Sequence, residues 1–421
     1  MAQRRFTQRL TLYYLWYTLL FFIFLISLSI LEREGVPRTW IGYLFMFATI
    51  VLYAGIGVVS RTSDISEYYV AGRRVPAVFN GMATAADWMS AASFLSLAGG
   101  LYLQGFDGLA YIVGWTGGFC LVAMLIAPYI RKFGQYTIPD FLGTRFAGNS
   151  ENNIVRILAV IATIMISFIY VVAQIYGVGL ITSRFTGVDF SVGIFLGLAS
   201  ILVCSFLGGM RAVTWTQVAQ YIIIIIAFMI PVAWLSVKHT HNPLPQFSYG
   251  KVLPELVKKE KWFANDPKEK QVRAIYQQQA DAYQNKIRQL PRSWEDGRFE
   301  LEHKLDELKS GNASLIDIKN AGRNLSNYPK SPQEAEVHWR EARNAYLAKS
   351  QTEFSQYTPY AAKDRKESDI KRNNFMALVL CLMMGTAALP HILTRYYTTP
   401  TVMESRDSVF WSLFFIMLLY I

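Results

Sequence analysis

One acidic residue stands inside an otherwise uncharged apolar stretch: Asp87, in GMATAADWMSAASFLSLAGG. A charge inside a membrane span is costly, and where one persists it usually has work to do. Its neighbours are small or hydroxylated, among them Gly81, Ala83, Thr84, Ala85, Ala86, Ser90, Ala91, Ser93 and Ser96. Small residues let neighbouring backbones approach closely, and a run this rich in them makes a weak continuous helix. A local break frees backbone carbonyls. Carbonyls and hydroxyls in a protein-lined cavity are ligands for a dehydrated Na+ or parts of a proton path. The competing reading is a tightly packed central helix in which Asp87 is paired with a basic or hydroxyl group.

A second constellation is Gly385-Thr386-Ala387-Ala388-Leu389-Pro390-His391. Pro390 removes a backbone donor and predicts a break here too. His391 can titrate, donate to an anion, or satisfy a freed carbonyl. Tyr170 and Gln174 are four residues apart and share a helix face; they line a polar path or bond between helices. Gly193 and Gly197 form a GxxxG, which reads as packing. Cys120, Cys204 and Cys381 lie in apolar runs with no CxxC, which suggests neither a zinc cluster nor a redox pair. No GxSxG, P-loop or HExxH is present, so the chain reads as no enzyme, and no cofactor is implied.

The elements that must hold these residues follow from composition. Of 421 residues 52% are hydrophobic and 17% charged, with mean hydropathy +0.23; a soluble domain carries about 25% charged residues. Residues 238–371 hold 24 of the 41 Lys+Arg and 19 of the 30 Asp+Glu. The remainder is a membrane protein, since a span needs about 20 apolar residues. Nine candidate spans can be read: 10–31, 40–60, 79–101, 108–130, 154–183, 190–208, 213–237, 373–394 and 408–421. The first is too long an apolar run for a signal peptide. With the N-terminus in the cytoplasm, thirteen Lys and Arg fall on inner segments, Arg395 among them, against three on short outer loops. This positive-inside bias puts 238–371 outside, on the periplasmic face of a bacterial inner membrane. The basic residues gather at span ends and not in a stripe, which argues against nucleic acid.

The polar region reads as a small helical bundle or hairpin. Asn265-Asp266-Pro267-Lys268-Glu269 is a helix start, with an Asx cap and Pro at the first position. Gly297 and Gly311 bracket a second segment, and Ser331-Pro332-Gln333-Glu334 opens a third. The last apolar run is expected to be cut short at Ile421. Asp140 in YTIPDFLGTRF reads as a helix cap or gate contact.

Several stretches together resemble the sodium:solute symporter family: SRTSDISEYYVAGRRVP, GMATAADWMSAASFL, RKFGQYTIPDFLGTRF, FLGGMRAVTWTQVAQ and GTAALPHILTRYYT. The similarity is greatest to its acetate/cation branch with a large polar insertion. It implies an all-α polytopic membrane protein with a partial LeuT-like fold. Two helices would precede the core. Core helices 1–5 would fill the rest of 1–237, 238–371 would be the insertion, and 372–421 would hold core helix 6 and the start of 7. Core helices 1 and 6 would be broken midway. The resemblance further implies Na+ on the backbone carbonyls of Ala86 and Met89. It puts solute contacts at Ser90, Ser93 and Phe94, with Tyr170, Gln174 and Thr386 as further candidates. Asp87, Pro390 and His391 would serve gating or coupling. The implied function is Na+-coupled symport of a small organic solute, a monocarboxylate such as acetate, across the lipid bilayer. A transporter-like sensor domain or a nonfunctional truncated fragment are the alternatives. Oligomeric state is not legible.

Overall fold

The computed structural model describes residues 2–146, 153–311, 314–351, 357–362 and 364–420; Ile421 and the side chain of Cys204 lie outside the described residues. Among the described residues every regular element is helical. Two compact units are present, Met1–Gly250 with Ala362–Ile421, and Lys251–Ala361.

In the first unit the helices are α1 (Ala2–Arg33), α2 (Arg38–Val59), α3 (Ile65–Val70), α4 (Ala77–Trp88), α5 (Leu97–Gln104), α6 (Leu109–Leu121), α7 (Ala127–Phe133), α8 (Ile138–Phe146), α9 (Ile154–Thr186) and α10 (Phe190–Thr240). The second unit follows with α11 (Tyr249–Asn265), α12 (Pro267–Arg288), α13 (Arg292–Ser310), α14 (Leu315–Ser326) and α15 (Pro332–Ser350). The chain then returns to the first unit through α16 (Arg365–Ala387), α17 (Pro390–Leu393) and α18 (Val402–Tyr420).

Among the described residues five helices are long and apolar enough to cross a membrane: Arg5–Arg33, Arg38–Val59, Leu97–Phe133, Ile154–Thr186 and Ser205–Phe247. The pair Arg365–Ala387 and Pro390–Thr398, bent by 49°, makes a sixth. This differs from the nine segments read from hydropathy, for local reasons. The 79–101 stretch is divided at Trp88: its first part is α4, twelve residues and too short to span alone, and its last residues begin the Leu97–Phe133 element. The 190–208 and 213–237 stretches form one element that turns at Gly209 (φ 51°, ψ −140°). A side chain at Gly209 would also strike the Tyr68 carbonyl, at 2.5 Å. The 408–421 stretch belongs to α18, whose first turns carry Glu404, Arg406 and Asp407.

Glycines set the close crossings. Gly114, Gly117 and Gly118 of α6 admit Leu382, Met383 and Thr386 of α16. Gly81 of α4 lies against Trp411 and Ser412 of α18. The Gly193-x-x-x-Gly197 pair meets α9 at Gly179, Thr182 and Val178, which is packing. At Gly118 an added Cβ collides with the Thr386 side chain and comes within 2.9 Å of the Met383 carbonyl, whereas at Gly99 nothing lies within 4 Å. Gly118→Ala is therefore expected to cost about 1–3 kcal/mol through overpacking. A lowered thermal midpoint in detergent checks this, with Gly99→Ala unchanged beside it.

The second unit is helical as its sequence predicts. Asp266 caps α12, accepting from the Lys268 amide at 2.8 Å, and Ser331 caps α15, accepting from the Glu334 amide at 3.2 Å. α12 and α15 pair through Tyr276, Tyr283 and Tyr346, whose rings stack at 5.7–6.2 Å. Gly297 does not begin the middle segment as expected. It lies inside α13, where the lack of a side chain makes room for the Tyr328 hydroxyl. That hydroxyl donates to the Trp294 carbonyl at 3.2 Å, and burial pushes its pKa up.

Candidate functional site

α4 begins where Glu404 accepts from the Ala77 amide at 2.9 Å, a carboxylate at a helix N-terminus. It ends after twelve residues. Met89 (φ −72°, ψ 58°) and Ser90 (φ −77°, ψ 173°) leave the helical region. In a continuous helix the Ser90 amide would donate to the Ala86 carbonyl. Here it donates to the Trp88 carbonyl at 2.7 Å and to Ser93 Oγ at 3.0 Å. Ser93 Oγ in turn donates to the Trp88 carbonyl, and Ser90 Oγ accepts from the Ser93 amide at 3.3 Å. This reciprocal capping starts a new π-helical turn, Ala91–Ser96. The Ala86 carbonyl is thereby released from its pairing with Ser90.

The other break is built differently. α16 stops at Ala387, Leu389 is extended (φ −66°, ψ 114°), and Pro390 opens α17. Proline has no amide to carry the ladder onward.

Asp87 lies in the last turn of α4 and both its oxygens are engaged. Oδ2 accepts from Arg395 Nε at 2.8 Å and Oδ1 from Gln217 Nε2 at 2.6 Å. Arg395 is only 2% exposed. Its Nη1 donates to Thr214 Oγ1 at 2.9 Å and reaches Met210 Sδ at 3.3 Å, and its Nη2 donates to Gln217 Oε1. Sequence reasoning counts Arg395 among the inner basic residues that mark topology. The structure corrects this: the guanidinium is buried because the Asp87 carboxylate needs a counter-charge. One fork thus joins α4, the segment of α10 just after Gly209, and the turn following α17. Below it, Asn80 is fully buried, donating to Ser408 Oγ at 2.7 Å and accepting from Thr398 Oγ1 at 3.0 Å.

Above this network a cavity of about 640 Å³ opens at the α4 break. Ala86, Asp87, Met89, Ser90, Phe94, Tyr170 and Gln174 line it, together with Gln217, Gln220, Thr182 and Phe185. Tyr170 donates to the Asp87 carbonyl at 3.3 Å and stacks on His391 at 4.5 Å between centroids. Gln174 Oε1 accepts from the Ala91 amide at 3.0 Å. Flipping this amide would set donor against donor, so the orientation is fixed by its network. Gln174 Nε2 is left buried with no partner among the described residues, on the cavity wall.

Ser93 is 4% exposed and sits behind the lining, holding the break. Thr386 is 3% exposed and packs on Gly118, away from the cavity. Pro390 is buried at the start of α17, and His391 lies beside the site with its ring stacked on Tyr170. Asp140 bonds Thr137 at 2.6 Å and Arg156 at 2.7 Å. Among the described residues no three His, Cys, Asp or Glu side chains converge to hold a metal.

These features describe a polytopic helical membrane protein with an interrupted helix bordering an open, largely apolar cavity that carries a few polar groups. Residues 68–240 match the sodium:solute symporter family. It is 54% identical, over all of its length and 62% of the other's, to an uncharacterized symporter of Cupriavidus necator. It is 35% identical to the uncharacterized symporter YwcA of Bacillus subtilis strain 168, over 39% of this chain and 31% of that one. The chain thus spans less than two thirds of the length of these curated relatives. A solved Na+-coupled sialic acid symporter, substrate-bound and outward-open, aligns over 90% of this chain and 72% of its own, with TM-score 0.43 and 14% identity.

Proposed function

We propose that this chain carries the ion- and solute-binding part of a symporter that moves Na+ and a small monocarboxylate, such as acetate, inward by alternating access. The observation that carries the reading is the α4 break, which borders an open cavity lined by Ala86, Met89 and Ser90 together with apolar side chains. Na+ is held by the carbonyls of Ala86 and Met89. The solute lies beside it against Ser90, Phe94, Tyr170 and Gln174. Its carboxylate faces the N-terminal end of the new turn, where helix amides favour an anion. Binding both species at one break couples them. The Na+ charge alone is worth about 2.3 kcal/mol per 100 mV of membrane potential. Asp87, with its charge already matched by Arg395, serves as a coupling element and not as a ligand of the solute. The membrane is a bacterial inner membrane, with residues 238–371 on its outer side.

The test is uptake of labelled acetate by proteoliposomes holding the full-length protein. Uptake should require an inward Na+ gradient and saturate with acetate. Saturable binding without flux under every gradient rejects symport in favour of a sensor. Within this reading Gln174 supplies a hydrogen bond to the carboxylate. Such a bond to a charged group is worth about 1.5–3 kcal/mol, so Gln174→Leu should raise the half-saturating acetate concentration by roughly 10–100-fold. An unchanged acetate titration removes Gln174 from the site.

A further inference from the structure

A second cavity, of about 610 Å³, lies in the same unit, away from the α4 break. Its walls are Tyr129 and Phe133 of α7, Phe141 and Leu142 of α8, and Met384 of α16. Its floor reaches Ala387, Ala388 and Leu393, where the broken helix bends by 49°. Tyr129 is 59% exposed and Met384 70%, so the groove is open to whatever surrounds the helices. One charged residue lines it: Arg145 of α8, whose guanidinium lies 5.7 Å from the Phe146 ring centroid. No carboxylate partner of Arg145 occurs among the described residues. The acid on the same helix, Asp140, is committed to Arg156 and Thr137.

An apolar trough with a single cation at its edge has the complementarity of an amphiphile, with a chain for the trough and an anionic head for the guanidinium. The volume falls in the range of ordinary small-molecule sites. Basic residues beside grooves between membrane helices are suited to acidic lipid headgroups. We infer that the cavity between α7, α8 and α16 is a binding site for an anionic phospholipid, with one acyl chain along Tyr129, Leu142 and Met384 and its phosphate on Arg145. The chain then rests against the outer side of the bend at Ala388 and supports that bend from the lipid side. The solute cavity is not involved, so the inference stands apart from the symport reading.

The full chain in nanodiscs, with a trace of phosphatidylglycerol bearing a photoactivatable acyl chain, provides the test. After illumination, peptide mass spectrometry should find adducts on residues 125–146 and 384–393. Excess phosphatidylglycerol should suppress them about fivefold better than phosphatidylcholine, the preference expected from one Arg at a headgroup. Arg145→Ala, at an exposed position, should abolish that preference. Leu142→Trp, which fills the trough, should remove these adducts and leave those on the lipid-facing residues of α9 as an internal reference. Adducts spread equally over α9 with no headgroup preference would mean bulk lipid and overturn the site. So would competition by palmitate as strong as by phosphatidylglycerol, or no adduct at all.

Discussion

Arg395→Ala is expected to abolish uptake and to lower stability by about 3–5 kcal/mol, the cost of stranding a buried charge. The Asp87 carboxylate loses the Nε contact at 2.8 Å, and Thr214 and Gln217 lose their shared donor. Arg395→Lys should not restore the wild type. A single ammonium cannot reach the carboxylate, the hydroxyl and the amide together, as a planar fork does. The informative variant is Asp87→Asn combined with Arg395→Met, which removes both charges. Replacing a buried pair by uncharged residues of similar volume is often neutral. The double variant should therefore regain most of the thermal midpoint and still fail to couple Na+ to solute. If Arg395→Ala alone keeps both midpoint and uptake, the ion pair has neither role. If the double variant transports normally, the pair is structural only.

Ser93→Ala should have the second large effect, although Ser93 does not line the cavity. Its hydroxyl receives the Ser90 amide at 3.0 Å and donates to the Trp88 carbonyl. Without it the Ser90 amide is free to return to the Ala86 carbonyl, which the proposal assigns to Na+. Loss of one ligand to a charged species, at about 1.5–3 kcal/mol, should raise half-saturating Na+ by roughly 10–100-fold. Acetate affinity at saturating Na+ should change far less. A superimposable Na+ titration would remove the Ala86 carbonyl from the site.

Both breaks were legible in the sequence, for different reasons. Around Asp87 the concentration of small and hydroxylated residues signals a helix that fails, and Pro390 announces its own interruption. The wall of the cavity was partly legible, because Tyr170 and Gln174 share a face. Arg395 was not. A lone arginine after an apolar run has the form of a topology marker, and its partner is 308 residues away, beyond any periodic pattern. Thr386, a candidate solute contact on the sequence, is turned by helical register onto Gly118. Thr182, Phe185 and Gln220 enter the cavity only because α9 and α10 cross at their glycines. In the polar unit the helices with Asx and Ser caps were found. α11 was missed although Ser248 stands immediately before it, and α14 although Ser314 caps it.

The length of chain separating Asp87 from Arg395 has a consequence for biosynthesis. A ribosome adding about 5–20 residues per second needs roughly 15–60 s to make the second partner after the first. Through that interval the nascent chain has an aspartate and no guanidinium to meet it, and an unpaired acid at mid-bilayer costs about 2.5–3.5 kcal/mol on insertion scales. Either the acid picks up a proton, or its segment waits near the headgroups until Arg395 arrives. The charge of this segment is therefore matched only after Arg395 has been made.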